Sequence, residues 1–194
     1  MKNRVIYNLL YLSILLLSCE RKETKYILFP EKPNLDLQDV KIEDILAHEN
    51  NLHSNERVTD TFFNIGTIHY KNIKSLTHKA FIKNDSKLLL QTDYYYDKKN
   101  GSLKVVTYEW ATEFISNINS TVIENTEAAS YPILKKKYDD IIKRITSTLN
   151  KSPKFDGPIT RWETSKVKVS VAISSGSYKN PIIYLMITSK QNGL

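Results

Sequence analysis

One long amphipathic segment, residues 131–149, lies between two stretches of strand-like sequence and limits the folds that this chain can adopt. Its apolar side chains recur three and four residues apart, which is the pattern of an α-helix with one buried face. They are Leu134, Tyr138, Ile141, Ile142, Ile145 and Leu149. Ser130 is expected to cap the helix, so Pro132 would fall in the first turn, where no backbone donor is needed. The pattern predicts a helix from Tyr131 to Leu149.

Alternating side chains before this helix predict a β-hairpin over residues 87–110. Every second residue from Leu88 to Tyr96 faces one side of the first strand, and Leu103 to Trp110 forms the returning strand. The loop between them contains Gly101, which can adopt the positive φ that such loops require. Residues 61–70 and 76–83 predict two earlier strands, and residues 40–49 predict a short helix.

Three more strands are predicted after the long helix. Residues 150–158, with two prolines and a glycine, indicate a helix stop and a turn, and residues 159–164 then suggest a short strand. Residues 167–173 alternate between apolar and polar side chains, whereas residues 182–188 are apolar on both faces and are expected to be central in the sheet. Strands, a helix and further strands are typical of an α+β fold with an antiparallel sheet and helices packed on one face. We therefore expect one domain over residues 40–190.

The amino-terminal segment has the pattern of a secretory signal. Lys2 and Arg4 precede an apolar run from Val5 to Leu17, and a small residue, Ser18, follows it. The run has 13 residues, whereas a helix needs about 20 to cross a bilayer. A cleaved signal is therefore favoured over a permanent transmembrane anchor. The only cysteine of the chain, Cys19, comes directly after the small residue.

Leu16-Leu17-Ser18-Cys19 resembles the lipobox of bacterial lipoproteins. The resemblance implies that a lipid is added to the thiol of Cys19, that cleavage falls before Cys19, and that the new amino terminus is acylated. Residues 1–18 would then be a lipoprotein signal peptide and residues 19–39 a tether, which contains two prolines and many charges. The alternative is an ordinary secreted protein with a free cysteine near its start.

The resemblance also implies a location in the cell envelope. In one group of Gram-negative lipoproteins an aspartate directly after the cysteine retains the protein at the inner membrane. Glu20 stands at this position, which favours the outer membrane. The last unit of the chain, a helix, a proline-containing turn, a tryptophan and two strands, resembles the carboxyl half of many small envelope lipoproteins, and this resemblance implies no function.

The charge of the chain is compatible with such a location. Its formal net charge is +7, and removal of residues 1–18 takes away two basic residues and no acidic one, which leaves about +5. Basic proteins often bind nucleic acid, but export argues against that partner. The expected partners are the membrane, through the lipid on Cys19, and an envelope protein.

Motifs for catalysis or for a cofactor are absent from the sequence. There is no Gly-x-Ser-x-Gly elbow, and five glycines leave no phosphate-cradling loop. His48 and His53 flank Glu49 at a spacing of five, which places the two rings about 140° apart on a helix, so one metal ion cannot bind both. We expect no metal, no cofactor and no catalytic residue. A hydrolase acting on envelope glycans or peptides stays an alternative if Asp93, Glu109 and Glu113 converge in space.

The aromatic residues of the hairpin are the candidate binding site. Aromatic side chains on a strand surface can form a platform for a protein or a sugar, and they can equally belong to a core. The residues are Tyr94, Tyr95, Tyr96, Tyr108 and Trp110. Tyr95 is out of phase with its neighbours and is the one expected to be exposed. The leading interpretation is a lipid-anchored, non-enzymatic binding, accessory or inhibitor-type protein, and the alternatives are the hydrolase and a carrier of an apolar ligand.

Overall fold

A computed structural model of the chain describes residues 35–37, 39–52, 54–57, 76–85, 87–111, 127–174 and 181–190. The predicted signal peptide, the predicted lipidation site Cys19 and most of the predicted tether lie outside these residues. The strand predicted over residues 61–70 and the acid Glu113 also lie outside them.

Two helices and eight strands are assigned within the described ranges. The helices are α1 (Ile42–Asn51) and α2 (Glu127–Leu149). The strands are β1 (Asn55–Arg57), β2 (Thr77–Asp85), β3 (Leu88–Tyr96), β4 (Leu103–Ala111), β5 (Lys154–Asp156), β6 (Ile159–Glu163), β7 (Val167–Ser174) and β8 (Ile182–Ser189).

The strands form one antiparallel sheet in the order β1-β2-β3-β4-β8-β7-β6-β5. It consists of two meanders, β1 to β4 and β5 to β8, which the pairing of β4 with β8 joins. The sheet and the helices confirm a mixed α+β fold with an antiparallel sheet. The hairpin of β3 and β4 and the central position of β8 are confirmed as well.

The long helix begins earlier than predicted. It starts at Glu127, so Ser130 and Pro132 lie inside it, and the expected cap at Ser130 is wrong. Glu127, Ala128 and Ala129 are good helix formers, which explains the extra turn. Because Pro132 has no N–H, the carbonyl of Ala128 lacks its usual partner four residues on.

Two short strands were missed by sequence reasoning. Residues 154–156 lie in the segment interpreted as a helix stop and a turn, but they form β5 at one edge of the sheet. β1, at the opposite edge, has only three residues. A three-residue strand is too short for an alternating pattern to be recognised.

The main hydrophobic core includes residues of both helices and of the sheet. Ile42 and Ile45 of α1 and Leu134, Ile141 and Ile145 of α2 share this cluster with Leu90, Tyr94, Tyr108, Trp110, Val169, Val171, Leu185 and Ile187. Leu35 and Leu37, which the sequence assigns to the tether, are also buried in it. The described part of the domain therefore extends to Leu35, and the tether boundary at residue 39 is too late.

Candidate functional site

The aromatic cluster lies at the centre of the sheet and is buried. Tyr108 stands opposite Thr92, and Trp110 stands opposite Leu90, so both share a face with Tyr94. Tyr94 is 2% exposed, Tyr108 is 1% exposed and Trp110 is fully buried. Tyr108 and Trp110 stack with ring centroids 5.8 Å apart. These rings form part of the core, and the prediction of an exposed aromatic platform is wrong for them.

Tyr95, the ring expected to be exposed, is buried on the opposite face. It packs there with Val105 and Met186, while Tyr96 is half-buried. The imidazole of His78 stacks on Tyr95 with ring centroids 5.5 Å apart. Burial, together with the nearby carboxylate of Asp93, raises the pKa of Tyr95 above its ordinary value.

The core contains a carboxyl group, that of Glu49, which accepts hydrogen bonds from two hydroxyls. The hydroxyl of Tyr94 donates to Oε1 at 2.5 Å, and the hydroxyl of Ser54 donates to Oε2 at 2.6 Å. Nζ of Lys83 lies 3.8 Å from Oε2. Glu49 is 1% exposed, and a buried carboxylate needs such donors. The contacts tie α1 to β2 and β3.

Burial also sets the protonation of Tyr94. Removal from water raises the pKa of Tyr94 well above its ordinary value. Negative charge on Tyr108 or on Glu49 raises this pKa further. Tyr94 therefore stays protonated in the folded protein, and its hydroxyl donates a hydrogen bond to Glu49.

A second polar contact ties the long helix to the sheet. Oδ2 of Asp85 in β2 accepts hydrogen bonds from Nε1 of Trp110 in β4 and from Nζ of Lys137 in α2, each at 2.6 Å. Nζ of Lys137 also lies 5.5 Å from the centre of the Trp110 ring. One carboxylate therefore orients both the indole and the lysine.

Sequence reasoning did not find Glu49 or Asp85. Glu49 follows Ile42 and Ile45 at helical spacing, so its place on the buried stripe of α1 was the available signal. Asp85 had no such signal, because its partners are 25 and 52 residues away in the chain.

The opposite face of the sheet carries a row of buried polar side chains. Gln91, Asp93, Thr107 and Glu109 are each at most 6% exposed. Nε2 of Gln91 lies 3.1 Å from Oδ2 of Asp93, and the hydroxyl of Thr107 lies 3.4 Å from the same oxygen. Gln91 stands opposite Glu109, and Asp93 stands opposite Thr107. The fold thus places Asp93 and Glu109 diagonally on neighbouring strands.

The hydrolase alternative depends on whether Asp93, Glu109 and Glu113 converge. Asp93 and Glu109 lie on one face, as convergence requires, while Glu113 is outside the described residues. Among the residues that the structure describes, no three His, Cys, Asp or Glu side chains are grouped so as to hold a metal ion. His48 lies in α1, and His53 is outside the described ranges.

Within the described ranges, neither helix is both long enough and apolar enough to cross a membrane. Comparisons with protein-family models, with curated proteins and with solved structures find no match for this chain. The function proposed below is argued from the contacts of the chain itself.

We expect Glu49→Ala to lower the free energy of unfolding by about 3 kcal/mol, because it leaves the Tyr94 hydroxyl buried without its acceptor. Tyr94→Phe should lower the free energy of unfolding less in the Glu49→Ala background than in the wild type. In a double-mutant cycle measured by urea unfolding, we expect a coupling energy of at least about 1 kcal/mol. Asp44→Ala, an exposed acid on the same helix, is the control. Additive effects of the two substitutions would show that the bond does not stabilise the fold.

The raised pKa of Tyr94 makes stability depend on alkaline pH. An unfolded tyrosine loses its proton above about pH 10, whereas folded Tyr94 keeps it. The contribution of Tyr94 to the free energy of unfolding is therefore complete below that pH and is lost as the pH rises further. Tyr94→Phe should therefore reduce the fall in unfolding free energy above pH 10 by up to about 1.4 kcal/mol per pH unit. Tyr131→Phe, an exposed position, should leave the slope unchanged. Equal slopes for wild type and Tyr94→Phe would contradict the assignment.

Proposed function

We propose that this protein is a lipoprotein of the cell envelope, anchored through lipid on Cys19, whose α+β domain binds an envelope protein without catalysing a reaction. Lipid anchoring is supported by the sequence Leu16-Leu17-Ser18-Cys19, which follows a basic start and an apolar run. Two or three long acyl chains bind a membrane essentially permanently, since each buried methylene contributes about 0.8 kcal/mol. Glu20 after the cysteine favours the outer membrane.

The described domain starts close to the proposed anchor. Because Leu35 is already buried in the core, the tether comprises residues 19–34 at most. A fully extended chain of this length spans roughly 55 Å. The domain would therefore meet partners near the membrane surface.

We also propose that both helices cover the same face of the sheet. This is supported by the hydrophobic cluster in which Ile45 of α1 and Ile141 of α2 join Tyr94, Trp110 and Leu185. It is supported further by the contacts of Glu49 with Tyr94 and of Lys137 with Asp85, because Tyr94, Trp110 and Asp85 point to that face.

A binding role is favoured by the hydrogen bonds in which three buried or partly buried acids are already engaged. Glu49 accepts hydrogen bonds from two hydroxyls, and Asp85 accepts hydrogen bonds from Trp110 and Lys137. Asp93 has Gln91 and Thr107 within hydrogen-bonding distance. Acids engaged in this way stabilise a fold, whereas a general acid or base must reach a substrate. The alternative is a hydrolase, and the diagonal placement of Asp93 and Glu109 on one face favours it.

The anchor is tested with Cys19→Ala. The wild type should partition into the detergent phase and remain with membranes, and the variant should accumulate unprocessed or leave the membrane fraction, because no thiol accepts the lipid. Mild cross-linking of the full-length protein, followed by mass spectrometry of what copurifies, should give one stoichiometric envelope protein that is lost from the variant.

Unchanged detergent partitioning of Cys19→Ala would contradict the lipid anchor. Reproducible absence of a protein partner from the correctly anchored wild type would contradict the binding role. The two results are separate, because partitioning is measured without reference to any partner.

The hydrolase alternative is tested with Asp93→Asn and Glu109→Gln. Full-length wild type and variants are incubated with envelope glycans and peptides, and the released products are measured by mass spectrometry. The binding proposal predicts the same background for all, with Asp139→Asn on the exposed helix surface as the control. The hydrolase would be established instead if the wild type releases product and folded Asp93→Asn releases at least about a hundredfold less. A loss of this size is expected when a general acid or base is removed.

A further inference from the structure

One edge of the sheet presents an exposed aromatic side chain. β5 is the last strand in the sheet order, and it pairs with β6. Phe155, its central residue, is 75% exposed, and Lys154 and Asp156 are exposed on either side. Exposed strand edges are templates for pairing with another strand.

The hairpin of β5 and β6 fixes which backbone groups face outward. Gly157 and Pro158 join the two strands, with Gly157 at a φ of 57°, and Asp156 stands opposite Ile159 as the pair that closes the loop. In a two-residue hairpin the closing pair is hydrogen-bonded, and the pairs alternate from there. Phe155, which is opposite Thr160, therefore directs its N–H and its C=O to the open edge.

The side chains of β5 are self-complementary in one register. Lys154 and Asp156 lie on one face of the strand, and Phe155 lies on the other. If a second copy pairs in antiparallel fashion about Phe155, Lys154 of each copy stands opposite Asp156 of the other. The two Phe155 residues then exchange backbone hydrogen bonds and form an aromatic cross-strand pair.

Neighbouring registers are disfavoured. Centring the pair on Lys154 places two lysines opposite each other, and centring it on Asp156 places two aspartates opposite each other, which is destabilising. Pro153 has no N–H to offer at the next outward position. The edge therefore accepts a short, charge-matched partner strand and rejects most others.

We infer that β5 pairs with β5 of a second copy of this chain, which gives a two-fold symmetric dimer with a continuous sheet. The same surface serves both copies, as in other closed two-fold interfaces. A contact of three residues is small compared with stable interfaces, so the dimer is weak and concentration-dependent. Confinement on one membrane raises the effective concentration, although the pairing itself does not depend on the lipid.

The charges on β5 are open to a second interpretation. Charged residues on a short edge strand commonly protect a sheet against association. Asp156 already pairs with Arg161 on the neighbouring strand, with Oδ2 2.5 Å from Nη1, yet its side chain remains 65% exposed. Protection needs only charge, whereas pairing needs opposite charges in the right order, so exchange of the charges separates the two.

The test uses full-length protein coexpressed with two different affinity tags, extracted in mild detergent and purified through one tag. The amount of the second tag recovered measures self-association. Lys154→Glu and Asp156→Lys each place like charges opposite each other in a homodimer. When the two variants are coexpressed with each other, every facing pair is again oppositely charged.

We expect wild type to recover its second copy and each single variant to recover about tenfold less of it. The mixture of Lys154→Glu with Asp156→Lys should return to the wild-type level, which a misfolded variant would not do. Lys136→Glu and Asp44→Lys, exposed positions on the two helices, should behave as wild type.

Absence of the second copy from the wild-type extract would overturn the inference. So would undiminished association of the single variants, or a mixture that associates no better than they do.

Discussion

The pairing of β4 with β8 is the contact on which the rest of the sheet depends. Each half of the sheet is a meander in which every strand pairs with a neighbour close in sequence, and among the described strands the pairing of β4 with β8 joins the halves. The register from Val105 opposite Thr188 to Trp110 opposite Ile183 aligns the apolar faces of the two meanders. Tyr94, Val106, Ile187 and Val169 consequently form one continuous row across four strands. A shift of this pairing by one residue would place Ile187 and Val169 on the face opposite to Tyr94 and Val106.

The two faces of the sheet are built on different physical principles. On one, large apolar side chains belong to the main core. Glu49 of α1 accepts a hydrogen bond from Tyr94, and Asp85 of β2 accepts one from Lys137 of α2. On the other, Gln91, Asp93 and Glu109 lie in a buried polar row. Buried polar groups of this kind are costly unless they are satisfied, and once satisfied they favour a single arrangement. Polar contacts on both faces therefore add to what the apolar core specifies.

The regular elements were predictable because their patterns are local. The hairpin of β3 and β4 alternates over nine residues in each strand, and the apolar stripe of α2 from Leu134 to Leu149 continues over about four turns. The three-residue strands β1 and β5 carry no such pattern. The start of α2 was misplaced because a serine before a proline resembles a cap, while the helix propensity of Glu127 to Ala129 extended it.

The candidate site was less predictable than the fold. Alternation shows that Tyr94 and Tyr96 lie on one face of their strand and that Tyr108 and Trp110 lie on one face of theirs. It does not show which face of the sheet is covered. In this chain both faces are covered at this point, so Tyr95 is buried as well as Tyr94. The acid contacts depend on partners that the sheet brings together from distant positions, as in Tyr94 and Glu49, 45 residues apart. Such pairs cannot be derived from local spacing.

The mass of the amino-terminal peptide of the membrane-extracted protein decides whether the chain is processed and lipidated at Cys19, as we propose. A lipidated protein should give a peptide that begins at Cys19 and carries a diacylglyceryl group on the thiol and an acyl chain on the amine. A peptide that begins at Met1, or one that contains Cys19 with a free thiol, would contradict it.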